Sequence, residues 1–216
     1  MTQPPGEDRQ RAAAGIVQVC RRLYERGLVA GPDGNVSVRL GDGSIVVTPS
    51  GMTKADVTPD DLVVLSADGT PIAGTRRPSS ELRMHLRIYA RRGDVRAVVH
   101  AHPPTATGFA VAGEGFMAPV LPEVILQMGE VPVVPYATPG TDALADLFEP
   151  LLVDHDAFLM ANHGATTLGI TLEQAHQRME SLEHAARILL AARAVGRVRE
   201  LTNDDVRALR GSCEGS

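Results

Sequence analysis

Val36-Ser37-Val38-Arg39-Leu40-Gly41-Asp42-Gly43-Ser44-Ile45-Val46-Val47-Thr48 decides the fold. Two β-branched runs flank Gly-Asp-Gly, which reads as a hairpin: strand, tight turn, antiparallel strand. A third apolar run, Leu62 to Ser66, follows and ends in Ala67-Asp68-Gly69, another turn signal. Helical periodicity lies outside this block. Before it, Asp8 to Gly27 places Ile16, Val19, Cys20 and Leu23 on one stripe. After it, a helix is expected over Ser80–Arg92, capped by Ser79 or Ser80, and another over Thr171–Val195, where Thr171 and Gln174 match a capping box. Shorter helices are expected at Thr105–Ala112, Thr141–Leu152 and Thr202–Arg210, and strands at Val95–Ala101, Val131–Val134 and Ala157–Met160. Early hairpin-paired strands with helices laid over them predict a layered α/β domain around a mixed sheet, not a doubly wound parallel one.

The 216 residues suit one domain, which we place at 11–200, with a disordered polar lead-in at 1–10 and a tail at 201–216. Hydrophobic residues make up 44% and charged residues 22%, and the net charge of −5 is spread without a basic run, so no nucleic-acid partner is expected. No apolar run is long enough for a membrane span, the first ten residues lack a signal-peptide core, and Cys20 and Cys213 do not suggest a disulfide framework. The expected compartment is the cytoplasm.

His100-Ala101-His102 closes an apolar strand and is followed by Pro103-Pro104. Side chains two apart on a strand share a face, so both imidazoles can reach one ion at about 2.0–2.1 Å. By itself His-x-His is a weak signal. Asn162-His163-Gly164 also follows an apolar strand and offers a third imidazole, leaving a fourth position open as a catalytic zinc site requires. His85, His176 and His184 fall inside helices and His155 in a turn; these read as surface or packing residues. Glu81 follows two serines at a helix start, which serves equally as a cap or as an anion site. Gly34-Asn35-Val36-Ser37 and Thr48-Pro49-Ser50-Gly51 are small polar loops that suit a turn or a phosphate.

Taken in order, these pieces, with Pro135-Tyr136-Ala137-Thr138-Pro139-Gly140-Thr141, resemble the class II aldolase/adducin family, nearest its fuculose-1-phosphate aldolase branch. The resemblance implies a three-layer α/β/α fold with a central mixed, mostly antiparallel sheet. It implies zinc, or another divalent ion such as Mn2+ or Co2+, on His100, His102 and His163. Glu81 becomes the catalytic acid/base and a further metal ligand. Gly34, Asn35, Ser50, Gly51, Ser79 and Ser80 become the phosphate cradle. The implied activity is reversible cleavage of a ketose 1-phosphate to dihydroxyacetone phosphate and a small aldehyde, in a homotetramer. Relatives of the 4-epimerase type carry Asp where Glu81 stands. Fuculose-type enzymes use two tyrosines that this chain lacks; Glu123 stands in place of one, and Leu121-Pro122-Glu123 is similar to aldolases of 5-deoxypentulose 1-phosphates. A decarboxylase, epimerase or dehydratase of a phosphorylated sugar would use the same scaffold. A non-catalytic adducin-like binding module would be expected to have lost the metal ligands.

Overall fold

The computed structural model describes residues 5–213. Eight strands form one sheet in the order β4-β3-β2-β1-β5-β8-β7-β6. The strands are β1 (Asn35–Arg39), β2 (Ile45–Val47), β3 (Val63–Leu65), β4 (Pro71–Ala73), β5 (Ala97–Ala101), β6 (Val133–Val134), β7 (Ala157–Met160) and β8 (Gly164–Gly169). Only β6 runs parallel to its neighbour, β7; every other pairing is antiparallel. The expected mixed, mostly antiparallel sheet is what forms.

Helices cover both faces. One layer packs α1 (Pro5–Glu25), α3 (Pro104–Val111) and α6 (Leu172–Val195) on the sheet through Ile16, Leu23, Phe109, Met179 and Leu182 against Val36, Val99, Ala101 and Leu159. The other packs α2 (Leu82–Arg91) and α5 (Asp142–Phe148) through Met84, Ile88, Leu144 and Phe148 against Val47, Val98, Phe158 and Leu168. Alternate residues of one strand therefore serve different cores: Val46 faces the first layer while Ile45 and Val47 face the second. This is why the strands read as continuous apolar runs although they are antiparallel. Each fully buried Leu, Ile or Phe contributes roughly 1.5–3 kcal/mol. Two further helices, α4 (Pro122–Gln127) and α7 (Asn203–Cys213), complete the chain.

Several boundaries differ from expectation. The first helix begins at Pro5, with Glu7 and Asp8 in its first turn, so residues 5–10 of the polar lead-in are helical. Residues 1–4 lie outside the described residues. The serines do not cap α2: Glu81 occupies the N-cap position, its side chain making no capping bond to the helix, and Ser79 Oγ instead accepts from the Glu81 amide at 3.3 Å. Half of the expected capping box on α6 forms: Thr171 accepts from the Gln174 amide at 3.1 Å, while Gln174 Oε1 accepts from the Ile170 amide at 2.9 Å in place of that of Thr171. No helix is long and apolar enough to cross a membrane, among the described residues.

The topology fixes where side chains converge. β5 lies between β1 and β8 and is antiparallel to both. The exit of β5 therefore meets the entry of β1 and the entry of β8 at one end of the sheet. Asn35 stands opposite His100, and His100 stands opposite Thr166.

Candidate metal centre and active site

His100 is the last residue but one of β5 and fully buried; its ring points to the α2 face, which it shares with Val98. His102 lies two residues on, past the strand end, and its amide donates to the Leu28 carbonyl at 3.0 Å. His163 comes from the turn between β7 and β8. That turn is made at Asn162, with φ 56; Asn tolerates the left-handed region. Gly164 instead opens β8, where a Cβ would come within 2.6 Å of the Ala101 carbonyl oxygen and of His102 Cδ2. Only glycine lets the two histidine-bearing segments approach this closely. Gly34 plays the same part on the other side: with φ 74, its Cβ would meet the His100 carbonyl oxygen at 2.7 Å.

The three rings meet edge to face, with centroids 4.8–5.0 Å apart. One ligand nitrogen from each lies within 4.8 Å of the others. His100 Nδ1 is 2.9 Å from the Ala165 carbonyl, an acceptor only, so Nδ1 carries the proton and Nε2 presents its lone pair inward. That Nε2 lies 3.1 Å from His102 Nε2 and 3.1 Å from Glu81 Oε2. His163 Nε2 is 3.2 Å from Glu81 Oε1, yet this oxygen has no aligned hydrogen bond. Three imidazole nitrogens and a carboxylate thus converge on one point. A shared divalent cation satisfies all of them, and tetrahedral Zn–N bonds would separate two nitrogens by about 3.3 Å. The donor set fits zinc or a similar ion on His100, His102 and His163, with Glu81 beside it.

Glu81 is 8% exposed, held at the foot of α2, and accepts from Asn35 Nδ2 at 2.9 Å. Burial pushes its carboxyl up, but the His100 and His163 rings and the Asn35 amide outweigh this and hold it below the usual carboxylate range. Burial disfavours charge on His100 as well, but the Glu81 carboxylate raises its pKa. Burial and the neighbouring His100 ring push His102 down to about 4 and lower His163, which leaves both neutral and ready to ligate at neutral pH.

The cluster forms one wall of a cavity of about 220 Å³ whose lining includes Gly34, Asn35, Ser50, Gly51, Ser79, Ser80, Glu81, His102 and His163. Every site residue expected from the sequence lines this cavity except His100, which is buried behind it. Among the described residues, the amides of Gly34, Gly51 and Ser80 donate to no backbone acceptor, which suits an anion. Sequence reasoning missed Asp33, whose Oδ2 is 3.5 Å from His102 Nδ1, and Thr166, whose Oγ1 is 3.3 Å from His100 Nδ1. Both act on the far nitrogen of a ligating ring, and neither carries a motif. Glu123 does not reach the cavity. It stands on α4 and lines a separate hollow with Arg26, Gln127 and His184.

The family described as "Class II Aldolase and Adducin N-terminal domain" matches residues 14–190. The chain belongs to the class II aldolase/adducin family. Within it, the chain is 34% identical to the 5-deoxy-D-ribulose 1-phosphate aldolase of Bacillus thuringiensis serovar kurstaki, over 95% of this chain and 97% of that protein. It is also 34% identical to the 3-oxo-tetronate 4-phosphate decarboxylase of Escherichia coli, over 81% of this chain and 84% of that one. A solved L-fuculose 1-phosphate aldolase superposes with a TM-score of 0.87 at 30% identity, covering 94% of this chain and 96% of that one.

Proposed function

We propose that this chain is a metal-dependent carbon–carbon lyase that cleaves a ketose 1-phosphate of the 5-deoxypentulose type to dihydroxyacetone phosphate and a small aldehyde. The observation that carries the reading is the Glu81 carboxylate, set against two of three converging imidazoles at the wall of a polar, small-residue cavity. Gly34, Asn35, Ser50, Gly51, Ser79 and Ser80 bind the phosphoryl group and hold the sugar in register. His100, His102 and His163 hold the divalent ion, zinc in this reading, with Glu81 as a further ligand before substrate arrives. That ion supplies Lewis acidity to the carbonyl and adjacent hydroxyl oxygens of the substrate. When the C3–C4 bond breaks, its electron pair moves into the C2 carbonyl and gives the enediolate, while the C4 hydroxyl becomes the aldehyde and passes its proton to the Glu81 carboxylate. Glu81 then delivers a proton to C3, and in the synthetic direction removes it. Its carboxylate is kept in place for this by the Asn35 amide.

A second reading is favoured by the likeness to decarboxylases. Loss of CO2 from a 3-oxo-tetronate 4-phosphate leaves the same enediolate, and protonation by the same carboxylate gives the same dihydroxyacetone phosphate. The two reactions differ only in the fragment that leaves. The resemblance of Leu121-Pro122-Glu123 supports the aldolase reading. The intact ligand set argues against a non-catalytic module. The deciding experiment supplies 5-deoxyribulose 1-phosphate, fuculose 1-phosphate and 3-oxo-tetronate 4-phosphate to the zinc-loaded protein. Dihydroxyacetone phosphate and CO2 are followed together. The aldolase reading expects release without CO2 and fastest from 5-deoxyribulose 1-phosphate. Preference for fuculose 1-phosphate would remove the 5-deoxypentulose assignment, and release only with CO2 would replace the aldolase by the decarboxylase.

A further inference from the structure

Lys54 is 1% exposed and heads the fully buried side chains ranked by volume. Its chemistry is out of keeping with that position. Lysine is almost never fully buried unless paired, because taking an ammonium out of water is strongly unfavourable. Yet among the described residues no carboxylate lies within ion-pair distance of it, and Nζ donates only to two backbone carbonyls, Pro32 at 2.9 Å and Met52 at 3.0 Å.

Those two carbonyls belong to the loops that build the anion cavity. Pro32 precedes Asp33-Gly34-Asn35, and Met52 follows Ser50-Gly51. One ammonium therefore ties the two loops together from behind. On the helix side, Lys54 faces α1 and the buried thiol of Cys20. Burial pushes that thiol up to about 12, so it is neutral and offers no counter-charge. On the cavity side the charges that Lys54 senses are Asp33 and Glu81, and its field also reaches His100. Both carboxylates already have partners: Glu81 contacts His100 and His163, and Asp33 contacts His102. These two carboxylates weigh against an incoming phosphate in a chain that is already net negative, and Lys54 adds its positive charge to that of the ion the histidines would hold.

We propose that Lys54 is the built-in counter-charge of the phosphate cradle, a positioning residue that clamps the Pro32 and Met52 loops and supplies the positive field that selects a doubly charged anion. It does not touch the ligand, since it is absent from the cavity lining. Its charge acts across the low-dielectric wall, where screening is weak. The inference rests on the phosphate reading of the cavity given above.

The test uses the zinc-loaded full chain and inorganic phosphate, with the dissociation constant measured by titration calorimetry. Lys54→Gln keeps an amide that can serve the same two carbonyls and removes only the charge; Lys54→Met removes both. The expected result is a rise in the phosphate dissociation constant, on the order of tenfold or more, in both variants. One zinc per chain is retained, and KM for the sugar phosphate rises much more than kcat falls. Wild-type affinity in Lys54→Gln would overturn the proposal, even if Lys54→Met binds poorly, because the role would then be structural. Failure of Lys54→Gln to fold would count against it in the same way. Absence of phosphate binding by the wild type at millimolar concentration would overturn the cradle reading itself, and this inference with it.

Discussion

Asn35 donates through its side-chain amide to Glu81 Oε2 at 2.9 Å, from the strand position directly opposite His100. A single register between β1 and β5 therefore sets both the metal-facing ring and the orientation of the carboxylate beside it. A hydrogen bond to a charged group is worth roughly 1.5–3 kcal/mol. Asn35→Ala should accordingly lower kcat by about tenfold to a hundredfold and leave the metal content at the wild-type value. Steady-state kinetics alongside metal analysis checks this. An unchanged kcat would mean that Glu81 is positioned by something else.

His100 is held by the Ala165 carbonyl and by Thr166 Oγ1, both on β8. Loss of the ring should abolish stoichiometric metal binding, so His100→Ala is expected to pass through gel filtration essentially without zinc. Thr166→Val, which removes only the outer contact, should weaken zinc affinity by roughly tenfold or more. Competition with a chromophoric chelator measures both. Full zinc occupancy in His100→Ala would place the ion elsewhere.

Glu183, on α6 and 3% exposed, accepts from the amides of Thr105 and Ala106 at the start of α3 and pairs with Arg187. Its carboxylate meets the exposed N–H groups and the positive end of that short helix. Because α3 starts two residues after His102, this cap also holds the exit of β5 in place. Glu183→Ala should cost about 2 kcal/mol in urea unfolding, with a weaker zinc affinity as a secondary effect. A loss below about 0.5 kcal/mol would show that the cap contributes little.

His85 is fully buried on α2, its Nδ1 2.7 Å from Ser37 Oγ, which also contacts the Tyr89 hydroxyl at 2.7 Å. Burial, helped by the nearby His100 ring, pushes it from 6.5 down to about 3. The unfolded chain therefore binds a proton that the folded chain refuses between these values. The contribution of neutral His85 is fully present above pH 6.5 and is lost as pH falls through that window towards 3. In chelator, the stability of the wild type should fall between pH 7 and pH 5 by more than that of His85→Gln, which cannot protonate. Equal losses in the two proteins would show that His85 is not the group responsible.

Much of this arrangement was legible in the sequence because its signals are local. The Gly41-Asp42-Gly43 turn, the apolar run into His100, and the Thr171 cap each declare themselves within a few residues. What was not legible depends on distant partners. β8, Gly164-Ala165-Thr166-Thr167-Leu168-Gly169, is small and Gly-bounded and carries no clear strand signal, yet its pairing with β5 and β7 leaves all of it buried. Lys54 and Glu183 carry no local motif, and only the folded chain shows them closed off by the Pro32 loop and by the start of α3. The serines before α2 matched a capping pattern, but the chain enters that helix through Glu81, which turns the serines towards the cavity. A cap and an anion site use the same residues, and local sequence does not separate them.

In the proposed reaction Glu81 and the three-histidine centre generate and protonate the enediolate of dihydroxyacetone phosphate, whatever fragment leaves. Proton exchange of dihydroxyacetone phosphate in D2O, followed by NMR with no aldehyde present, tests this directly. The zinc-loaded protein is expected to exchange a single hydroxymethyl proton. Exchange should disappear with chelator and fall by roughly a hundred- to ten-thousand-fold in Glu81→Gln. Exchange at the wild-type rate in Glu81→Gln, or none from wild type carrying one zinc per chain, would contradict it.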